Sequence, residues 1–435
     1  MIENIVDYLY QIPRFARTGG LEQTRERLRI LGSPEKSFHY IHIAGTNGKG
    51  STCAYMESAL RHMGYKTGLF TSPHLVRINE RIRINNEEIT DEAFADAFYK
   101  VKALIDRQAA EGIPHPTFFE FIYLMAMCAF KEAGIEYGII ETGLGGRMDL
   151  TNAVEKPDLT LITSISLDHT AILGDSIDKI AAEKAGIIKK EVPIVFLDKE
   201  KAVTRVICEK AEQMGSARFP VQMQWTKNFS VKSGKIHFSC QSPYFEDEDM
   251  TLNTVGLYQV ENACLARTGL EILRQEGKLS MPEADFVRSV REGMEDMVWP
   301  GRMEMVLDNV YVDGAHNDDG IRELVHSVED VFEGQDIYLV FAVAEDKDYQ
   351  EMIHHLSQIR QLKGVIITEI NNGRRRDFHE VMDIFKKNWH GRIQGTYNVN
   401  EAIMTGQEWK GKDGILICTG SLYLVGHVKE ILGGI

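Results

Sequence analysis

The 435-residue sequence predicts an α/β protein in which a mostly parallel sheet domain of the phosphate-loop type is followed by a smaller Rossmann-like α/β domain. Two observations lead to this class. Short β-rich apolar runs alternate with helical patterns along most of the chain, which is typical of a parallel sheet covered by helices on both faces. Pro300 and Gly301 then break the pattern before a second alternating series begins. We therefore predict domains at residues 1–297 and 298–435.

The strands and helices are assigned from the spacing of apolar residues, which differs between the two structures. The strands predicted in the first domain are Phe38–Ala44, Thr67–Thr71, Tyr137–Glu141, Leu159–Ser166 and Pro193–Leu197. The helices predicted there are one after Ser51 closed by Gly64, Phe118–Ala133 closed by Gly134, Gln259–Glu276 and Glu283–Met294. Alternating residues around Ser233-Gly234 predict an antiparallel hairpin attached to the first domain. The strands predicted in the second domain are Glu304–Val312, Ile337–Ala342, Gly364–Thr368 and Gly414–Cys418.

Charge and cysteine content limit the partners and the compartment. The formal net charge is −15, which argues against broad binding to nucleic acid or to an anionic membrane. We predict no signal peptide, because no basic segment precedes an apolar core at the N-terminus, and no apolar run is long enough to span a bilayer. The six cysteines contain no CxxC pair and are expected to be reduced, buried thiols. These features predict a cytoplasmic protein.

The segment between the first predicted strand and the helix that follows it reads Gly45-Thr-Asn-Gly-Lys-Gly-Ser51. A strand, a glycine-rich loop and a helix N-terminus in this order can hold phosphates, because the freed N–H groups and the helix dipole attract anions. Lys49 would bridge the β- and γ-phosphates of a nucleotide, and Ser51 would bind Mg²⁺. The strict pattern fails twice, since Ile43 stands where glycine is usual and Gly50 is inserted after Lys49. A glycine-rich turn that only closes a strand–helix unit therefore stays as the alternative.

A magnesium nucleotide also needs metal ligands near the loop, and neighbouring strands of a parallel sheet deliver side chains to the same edge. Glu141 ends one predicted strand, and His169 follows another. A carboxylate suits Mg²⁺, whereas histidine is an uncommon ligand for it, so on its own His169 is better read as a packed or surface residue. The run Gly143–Gly146 lacks the full fingerprint of a dinucleotide-binding loop.

Taken in order, the motifs of the chain resemble the folylpolyglutamate synthase and dihydrofolate synthase family, within the Mur ligase superfamily. The motifs that carry this resemblance are Ile43-Ala-Gly-Thr-Asn-Gly-Lys-Gly-Ser51, Thr71-Ser-Pro-His74, Asn79-Glu-Arg-Ile82, Glu141-Thr-Gly-Leu-Gly-Gly-Arg147, Asp149-Leu-Thr-Asn152, Leu167-Asp-His169, Glu183-Lys-Ala-Gly-Ile187, Pro300-Gly-Arg302, Asp313-Gly-Ala-His-Asn317 and Thr419-Gly-Ser-Leu-Tyr423. Each motif is weak alone, but the ordered set spans nearly the whole chain. The inserted Gly50 is the form that this family uses.

The resemblance implies an ATP-dependent amide ligase with an ATP-binding first domain and a glutamate-ligase second domain. ATP would phosphorylate a carboxylate of (tetrahydro)folate, or of dihydropteroate, and the amine of L-glutamate would then attack the acyl phosphate. The resemblance also implies two Mg²⁺ sites, leaves a monovalent cation open, and indicates a monomer whose partners are small-molecule substrates. Whether the chain extends folates, makes dihydrofolate or does both stays open, and we favour folate extension.

Carried over position by position, the resemblance gives roles to residues of both domains. The nucleotide would be held by Thr46, Asn47, Gly48, Lys49, Gly50, Ser51, Asn262 at adenine, Arg302 at the γ-phosphate and Asp313 at the ribose. The metal ligands would be Ser51 and Glu141 at one Mg²⁺, and His169 with a carbamylated Lys184 at the other. The substrates would contact Arg14, His316 and Ser421 at glutamate, and Ser72, Pro73 and Arg81 at the folate or pteroate. The predicted catalytic residues are Lys49, Lys184 and His316.

Two other functions fit parts of the pattern. A cell-wall amino-acid ligase of the Mur superfamily would share the overall motif order, although the segment 71–83 looks folate-type. A nucleotide-binding regulatory module without ligase turnover would need neither the metal ligands nor the pair Asp313 and His316. If the chain is a ligase, catalysis is expected to require closure of the two domains, with Trp299–Arg302 as the hinge.

Overall fold

The structure is a computed structural model that describes residues 2–13, 19–345, 348–370 and 376–433. The chain divides into two compact units. Unit 1 comprises Met1–Phe229, Phe238–Leu252 and Val260–Met297, and unit 2 comprises Ser230–His237, Asn253–Gln259 and Val298–Ile435. The last change of unit lies between Met297 and Val298, and the two short earlier segments are where these units differ from the domains predicted as 1–297 and 298–435.

Unit 1 contains an eight-stranded sheet with the order β4-β3-β2-β5-β1-β6-β7-β8. Its strands are β1 (His39–Ala44), β2 (Thr67–Phe70), β3 (Ile82–Ile84), β4 (Glu87–Glu88), β5 (Tyr137–Glu141), β6 (Leu159–Ile162), β7 (Ile194–Leu197) and β8 (Arg218–Val221). The strands from β2 to β8 in this order pair in parallel, and β3 and β4 add an antiparallel edge. Strands β2, β5, β6 and β7 are buried along their whole length, as expected when both faces are covered. The predicted parallel sheet is therefore confirmed.

Ten α-helices accompany this sheet in the described residues. They are α1 (Ile2–Gln11), α2 (Gly20–Ile30), α3 (Lys49–His62), α4 (Asp91–Ala110), α5 (Phe118–Ala133), α6 (Thr170–Leu173), α7 (Ile177–Ala185), α8 (Lys201–Met214), α9 (Gln259–Gln275) and α10 (Glu283–Asp296). Helix α5 begins after Thr117, whose hydroxyl accepts from the Glu120 amide, and it ends at Gly134 in a left-handed conformation. Both ends match the prediction. No helix in the described ranges is long and apolar enough to cross a membrane.

The predicted hairpin is confirmed as part of a small three-stranded sheet. Its strands are β9 (Thr226–Lys232), β10 (Lys235–Cys240) and β11 (Glu248–Leu252), in the order β11-β10-β9. Ser233 and Gly234 both have positive φ, as a two-residue hairpin turn requires. We expected the hairpin to belong to the first domain, and this was wrong for its tip, because residues 230–237 group with unit 2.

Unit 2 contains a six-stranded sheet with the order β12-β13-β17-β14-β15-β16. Its strands are β12 (Glu304–Leu307), β13 (Val310–Val312), β14 (Ile337–Phe341), β15 (Leu362–Thr368), β16 (Arg392–Thr396) and β17 (Ile415–Thr419). Its helices are α11 (Asp318–Val331), α12 (Tyr349–Ser357), α13 (Phe378–Asn388), α14 (Val399–Lys410) and α15 (Leu422–Gly433). Among the described strands of this sheet, only β12 runs antiparallel to its neighbour. The single strand predicted over 304–312 is two strands, because Asn309 adopts a positive φ and turns the chain.

Candidate active site

Three neighbouring strands of unit 1 end at the same edge of the sheet. Strand β1 lies between β5 and β6, with Ile43 opposite Glu141 and Ala44 opposite Ile162. The chain places β5 on one side of β1 and β6 on the other, so this edge is a switch point of the sheet. Ligands of open α/β sheets bind at such a point, beyond the carboxyl ends of the strands.

The loop that leaves β1 needs glycine at two places. Gly45 has a φ of 156°, and a Cβ added there would lie 1.7 Å from Thr163 Oγ1. Gly48 has a φ of 85°, and its Cβ would lie 2.1 Å from Asn262 Oδ1. A side chain at either position would therefore collide with a neighbour as well as strain the backbone. Asn262, predicted to contact adenine, lies directly against the glycine that caps helix α3.

The loop is fixed to the residues that follow β6. The Thr46 amide donates to the Ser164 carbonyl at 2.7 Å, and Thr163 Oγ1 donates to the Asn47 carbonyl at 2.6 Å. The Thr46 hydroxyl also donates to the Ser166 carbonyl. The sequence reasoning missed Thr163 and Ser164, because it assigned them to the end of a strand. Hydroxyl residues at the carboxyl edge, beside a glycine-rich loop, were the signal that could have identified them.

Two lysines converge on the carbonyl oxygen of Gly45. Lys49 Nζ donates to it at 3.2 Å and to the Thr46 carbonyl at 3.0 Å, and Lys184 Nζ donates to it at 2.6 Å. Lys184 is 4% exposed. Burial, and secondarily the Lys49 ammonium, lower the pKa of Lys184 to about 7. Two cationic groups at one loop carbonyl leave an excess of positive potential, which suits an anion in the loop.

A carboxylate and a hydroxyl accompany these lysines. Glu141 Oε1 lies 3.9 Å from Lys49 Nζ, and its Oε2 accepts from the Ser72 amide at 2.9 Å. Ser51 is buried in the first turn of α3. Thr142 Oγ1, next to Glu141 in the chain, is buried without a hydrogen-bond partner in the described part of the chain. Buried oxygen donors of this kind fit Mg²⁺, so the first predicted metal site is chemically consistent with the residues present.

The second predicted metal site does not fit the residues as they stand. His169 follows Asp168 with a positive φ of 51°, and its side chain is 43% exposed, with Nε2 4.0 Å from Asp168 Oδ1. The Asp168 carboxylate opposes the lowering of the Lys184 pKa. The ammonium form of Lys184 has three donors and no lone pair, so in that form Lys184 is no metal ligand.

The run Gly143–Gly146 has a structural explanation. A Cβ on Gly146 would lie 2.8 Å from the carbonyl oxygens of Glu183 and Lys184, so this loop passes directly over the end of α7. Asp149 holds the loop by accepting from the Leu144 amide at 2.7 Å. The glycines therefore permit close packing beside Lys184, which agrees with our reading that they are not a dinucleotide loop.

The predicted folate-side residues lie in an aromatic and basic cluster within unit 1. Arg81 Nε donates to His74 Nδ1 at 2.8 Å, and its guanidinium lies 5.2 Å from the centre of the Phe118 ring. The opposite nitrogen of His74 is 3.1 Å from the Tyr10 hydroxyl. Ser72 and Pro73 begin the segment that leads into this cluster. Arg14, predicted to contact glutamate, lies outside the described residues.

In unit 2, Asp313 organises the turn that contains Arg302. Its Oδ2 accepts from the Tyr258 hydroxyl at 2.5 Å and the Met303 amide at 2.9 Å, and its Oδ1 accepts from the Ala315 amide at 2.8 Å. Asp313 is 1% exposed, and burial raises its pKa. Arg302 Nη1 donates to the Gly301 carbonyl, which also accepts from the Gly314 amide. No role for Tyr258 was predicted from the sequence.

His316 and Ser421 lie at the carboxyl edge of the second sheet. Val312 on β13 lies opposite Cys418 on β17, so the loops after these two strands are adjacent. The Gly420 amide donates to the Ala315 carbonyl, which joins the two loops. His316 Nδ1 is 2.7 Å from the Gly314 carbonyl, so this nitrogen carries a proton and Nε2 is the acceptor of the neutral ring.

Comparison with known proteins agrees with this arrangement. Residues 43–268 match the family described as Mur ligase middle domain, and residues 301–422 match Mur ligase, glutamate ligase domain. A dihydrofolate synthase/folylpolyglutamate synthase of Bacillus subtilis (strain 168) is 34% identical over 427 residues, 96% of each chain. A folylpolyglutamate synthase of Lacticaseibacillus casei is 32% identical and covers 99% of this chain and 98% of its own. The structure of Mycobacterium tuberculosis folylpolyglutamate synthase complexed with ADP superposes with a TM-score of 0.89 at 26% identity, covering 99% and 98% of the two chains.

The phosphate loop, the second α/β unit and these matches define an ATP-dependent amide ligase, and the chain belongs to the Mur ligase family. Within that family its full-length relatives are folylpolyglutamate and dihydrofolate synthases, so the reaction joins L-glutamate to a folate at the expense of ATP. The resemblance, the fold class and the enzyme class predicted from the sequence are confirmed.

Proposed function

We propose that the chain extends folates with glutamate and also converts dihydropteroate to dihydrofolate, through an acyl phosphate in both reactions. A carboxylate oxygen of the acceptor attacks the γ-phosphorus of ATP, and the bond to ADP breaks. The amine of glutamate then attacks the acyl carbon, the C–O bond to phosphate breaks, and the nitrogen loses a proton. The observation that carries the proposal is the convergence of Lys49 and Lys184 on the Gly45 carbonyl, beside a buried carboxylate.

The first step is assigned to the phosphate loop. Lys49 would hold the β- and γ-phosphates, while the amides of residues 46–51 surround them. Ser51 and Glu141 would hold one Mg²⁺, which when bound offsets phosphate charge. The acceptor would lie along Ser72, Pro73 and Arg81, and the positive charge of Arg81 beside His74 supports a carboxylate-bearing substrate.

The burial of Lys184 supports the proposed carbamylation of its amine. With a pKa lowered to about 7, a substantial part of its amine is uncharged at neutral pH, and only that form adds to CO₂. Addition forms a carbamate and releases a proton. The hydrogen-bond-donating amine of Lys184 is thereby replaced with a negatively charged oxygen group. We propose that this group, with His169, completes the second metal site. The other proposed roles are unchanged. Asn262 would contact adenine, Arg302 the γ-phosphate and Asp313 the ribose. His316 and Ser421 would contact glutamate.

One assay separates the acceptors. Incorporation of labelled L-glutamate would be measured with dihydropteroate and with tetrahydrofolate offered separately, and Lys49→Ala would define the background. Incorporation on both supports the dual proposal. Incorporation on tetrahydrofolate alone limits the chain to folate extension, and a product only with nucleotide-linked peptides would favour the cell-wall ligase alternative.

The carbamate has its own test. Carbon-13 NMR in ¹³C-bicarbonate would show a carbamate signal in the wild type and in Lys189→Ala, a matched variant of another lysine with a lowered pKa. Lys184→Ala would lack the signal, and its activity would return in part with short-chain carboxylates. The proposal fails if the signal survives in Lys184→Ala or is absent from active wild-type enzyme.

We further infer a cytoplasmic location and a monomeric state. All six cysteines are unpaired, which supports a reducing compartment. Size-exclusion chromatography with light scattering would test the monomer.

A further inference from the structure

A second group of metal-binding side chains lies in unit 2, on the first turn of α11 and along α12. Asp318 is the first residue of α11, and Glu351 and His355 lie on α12, four residues and thus one turn apart. Asp318 and His355 are half-buried and Glu351 is exposed. None of the three belongs to the phosphate-loop site or to any role assigned above.

The distances are close to those of a metal site. One ligand atom from each of the three residues lies within 4.8 Å of the other two. His355 Nε2 is already 2.9 Å from Asp318 Oδ1. Two ligands of a tetrahedral Zn²⁺ lie about 3.4 Å apart, given metal–ligand bonds of about 2.1 Å. Small rotations of these accessible side chains are therefore enough to bring all three onto one ion.

The local charge favours a cation. Two carboxylates face one imidazole, so the group has an excess of negative charge when the histidine is neutral. His355 lies in the last turn of α12, where the negative end of the helix dipole adds to the attraction. The nearby Arg322 pairs with Asp319 at 2.8 Å, and its charge also acts on Asp318, so it offsets part of the negative charge of the group. The N-terminus of α11 opposes a cation only weakly compared with two formal charges.

We propose that Asp318, Glu351 and His355 bind one divalent transition metal of the zinc class. One imidazole and two carboxylates suit Zn²⁺ or Co²⁺ better than Mg²⁺, which prefers oxygen ligands alone, and water would complete the coordination. The ion would link α11 to α12. Because His316 lies two residues before α11, the same ion would restrain the loop that carries it.

The test is calorimetric titration of ZnCl₂ into the full chain with excess MgCl₂ and ADP, which occupy the nucleotide site. The wild type should bind one more Zn²⁺ than His355→Ala does. Glu351→Gln should lower the affinity for that additional Zn²⁺ by about 10-fold or more. The matched control is His326→Ala, because His326 pairs with Asp330 on α11 at 3.3 Å and the described residues offer no third ligand there. It should bind as the wild type does.

Equal Zn²⁺ stoichiometry and affinity in the wild type and His355→Ala would overturn the proposal, as would equal losses in His355→Ala and His326→Ala. A thermal shift gives a second readout. Zinc should raise the melting temperature of the wild type and of His326→Ala, but should have no effect at this site in His355→Ala. A zinc-dependent rise of the same size in all three proteins would also contradict the site.

Discussion

Two regions are built alike: the phosphate loop of unit 1, and the turn of unit 2 that begins at Asp313, here called the Asp313 turn. They differ in how the charge of their side chains is neutralised. Each follows a parallel strand, contains glycine and places a charged residue at the carboxyl edge of its sheet, half-buried at Lys49 and buried at Asp313. In the first, two lysine amines donate to main-chain carbonyls, which are weak partners for a full charge. In the second, the Asp313 carboxylate accepts three hydrogen bonds from within unit 2.

This difference in hydrogen-bond partners indicates two different roles for a charged side chain, ligand binding and stability. Within the described part of the chain, Lys49 and Lys184 donate to main-chain carbonyls rather than to an anion, and the Glu141 carboxylate lies 3.9 Å from Lys49. Such a site gains when an anion enters. Asp313 already has donors on both oxygens, so its charge stabilises the turn in the absence of any ligand. We therefore expect substitutions in the phosphate loop to change turnover, and substitutions in the Asp313 turn to change both turnover and the free energy of unfolding.

The largest expected effect is at Lys49. Replacing it with alanine should lower glutamate-dependent phosphate release by about 10³-fold or more, because the charge that offsets the phosphates is lost. The free energy of unfolding should change little, since Lys49 donates to loop carbonyls and lies 3.9 Å from Glu141, beyond hydrogen-bond distance. Steady-state kinetics and urea unfolding would measure both, with Lys179→Ala, which removes an exposed ion pair, as the control. Near-normal turnover in Lys49→Ala would remove the phosphate loop from the mechanism.

The Asp313 turn should show the opposite balance. Asp313→Asn replaces one accepting oxygen with an amino group that faces amide or hydroxyl donors, and an unmatched buried donor costs about 1–3 kcal/mol. Urea unfolding should therefore show a loss of about that size without any ligand. The exposed Asp308→Asn serves as the control and should leave stability unchanged. If Asp313→Asn lowers turnover but leaves stability intact, its hydrogen bonds are not structural and the comparison fails.

Sequence reasoning predicted the first region better than the second for a physical reason. The phosphate loop is local, because strand β1, the glycines and Lys49 lie within a dozen residues of one another. Because β5 is buried along its whole length, its sequence is a nearly continuous apolar run, and both of its bounds were predicted correctly. The Tyr258–Asp313 hydrogen bond joins residues 55 positions apart, and Lys184 reaches Gly45 across 139 positions. No local pattern reports such contacts.

Short strands at or next to a sheet edge were missed for a related reason. Strands β3, β4 and β16 are only two to five residues long and largely exposed or half-buried, so no apolar period marks them. Pairing with a neighbour creates them, and that neighbour lies elsewhere in the sequence. The resemblance to a family supplied Lys184, which composition and spacing would have left as a surface lysine.

The pH dependence of stability tests the buried lysine. The pKa of Lys184 is about 7 in the fold, whereas an unfolded lysine titrates near pH 10.4. Between these values the unfolded chain binds more protons, so stability rises with pH by up to about 1.4 kcal/mol per unit, and the full penalty is present below pH 7. In metal-free and CO₂-free buffer, Lys184→Met should therefore stabilise the protein most below pH 7.

This advantage should shrink as the pH approaches 10. Lys189→Met is the matched comparison, because the pKa of Lys189 is lowered less, to about 8, and its window begins one unit higher. Parallel stability curves for the wild type and Lys184→Met from pH 7 to pH 10 would show that Lys184 is not buried as an amine. The assignment of excess positive charge to the loop would then be wrong.

The smallest expected effect lies at the border of the Asp313 turn. Glu304 accepts from the Gly301 amide at 2.7 Å, and Lys429 on α15 pairs with the other oxygen of Glu304 at 2.5 Å. Both side chains are partly exposed, so Lys429→Met should cost at most about 1 kcal/mol. Glu304→Gln keeps an oxygen for the Gly301 amide and should cost no more. A loss as large as that of Asp313→Asn would mean that the ion pair at the start of β12 holds the turn as firmly as the buried carboxylate after β13 does.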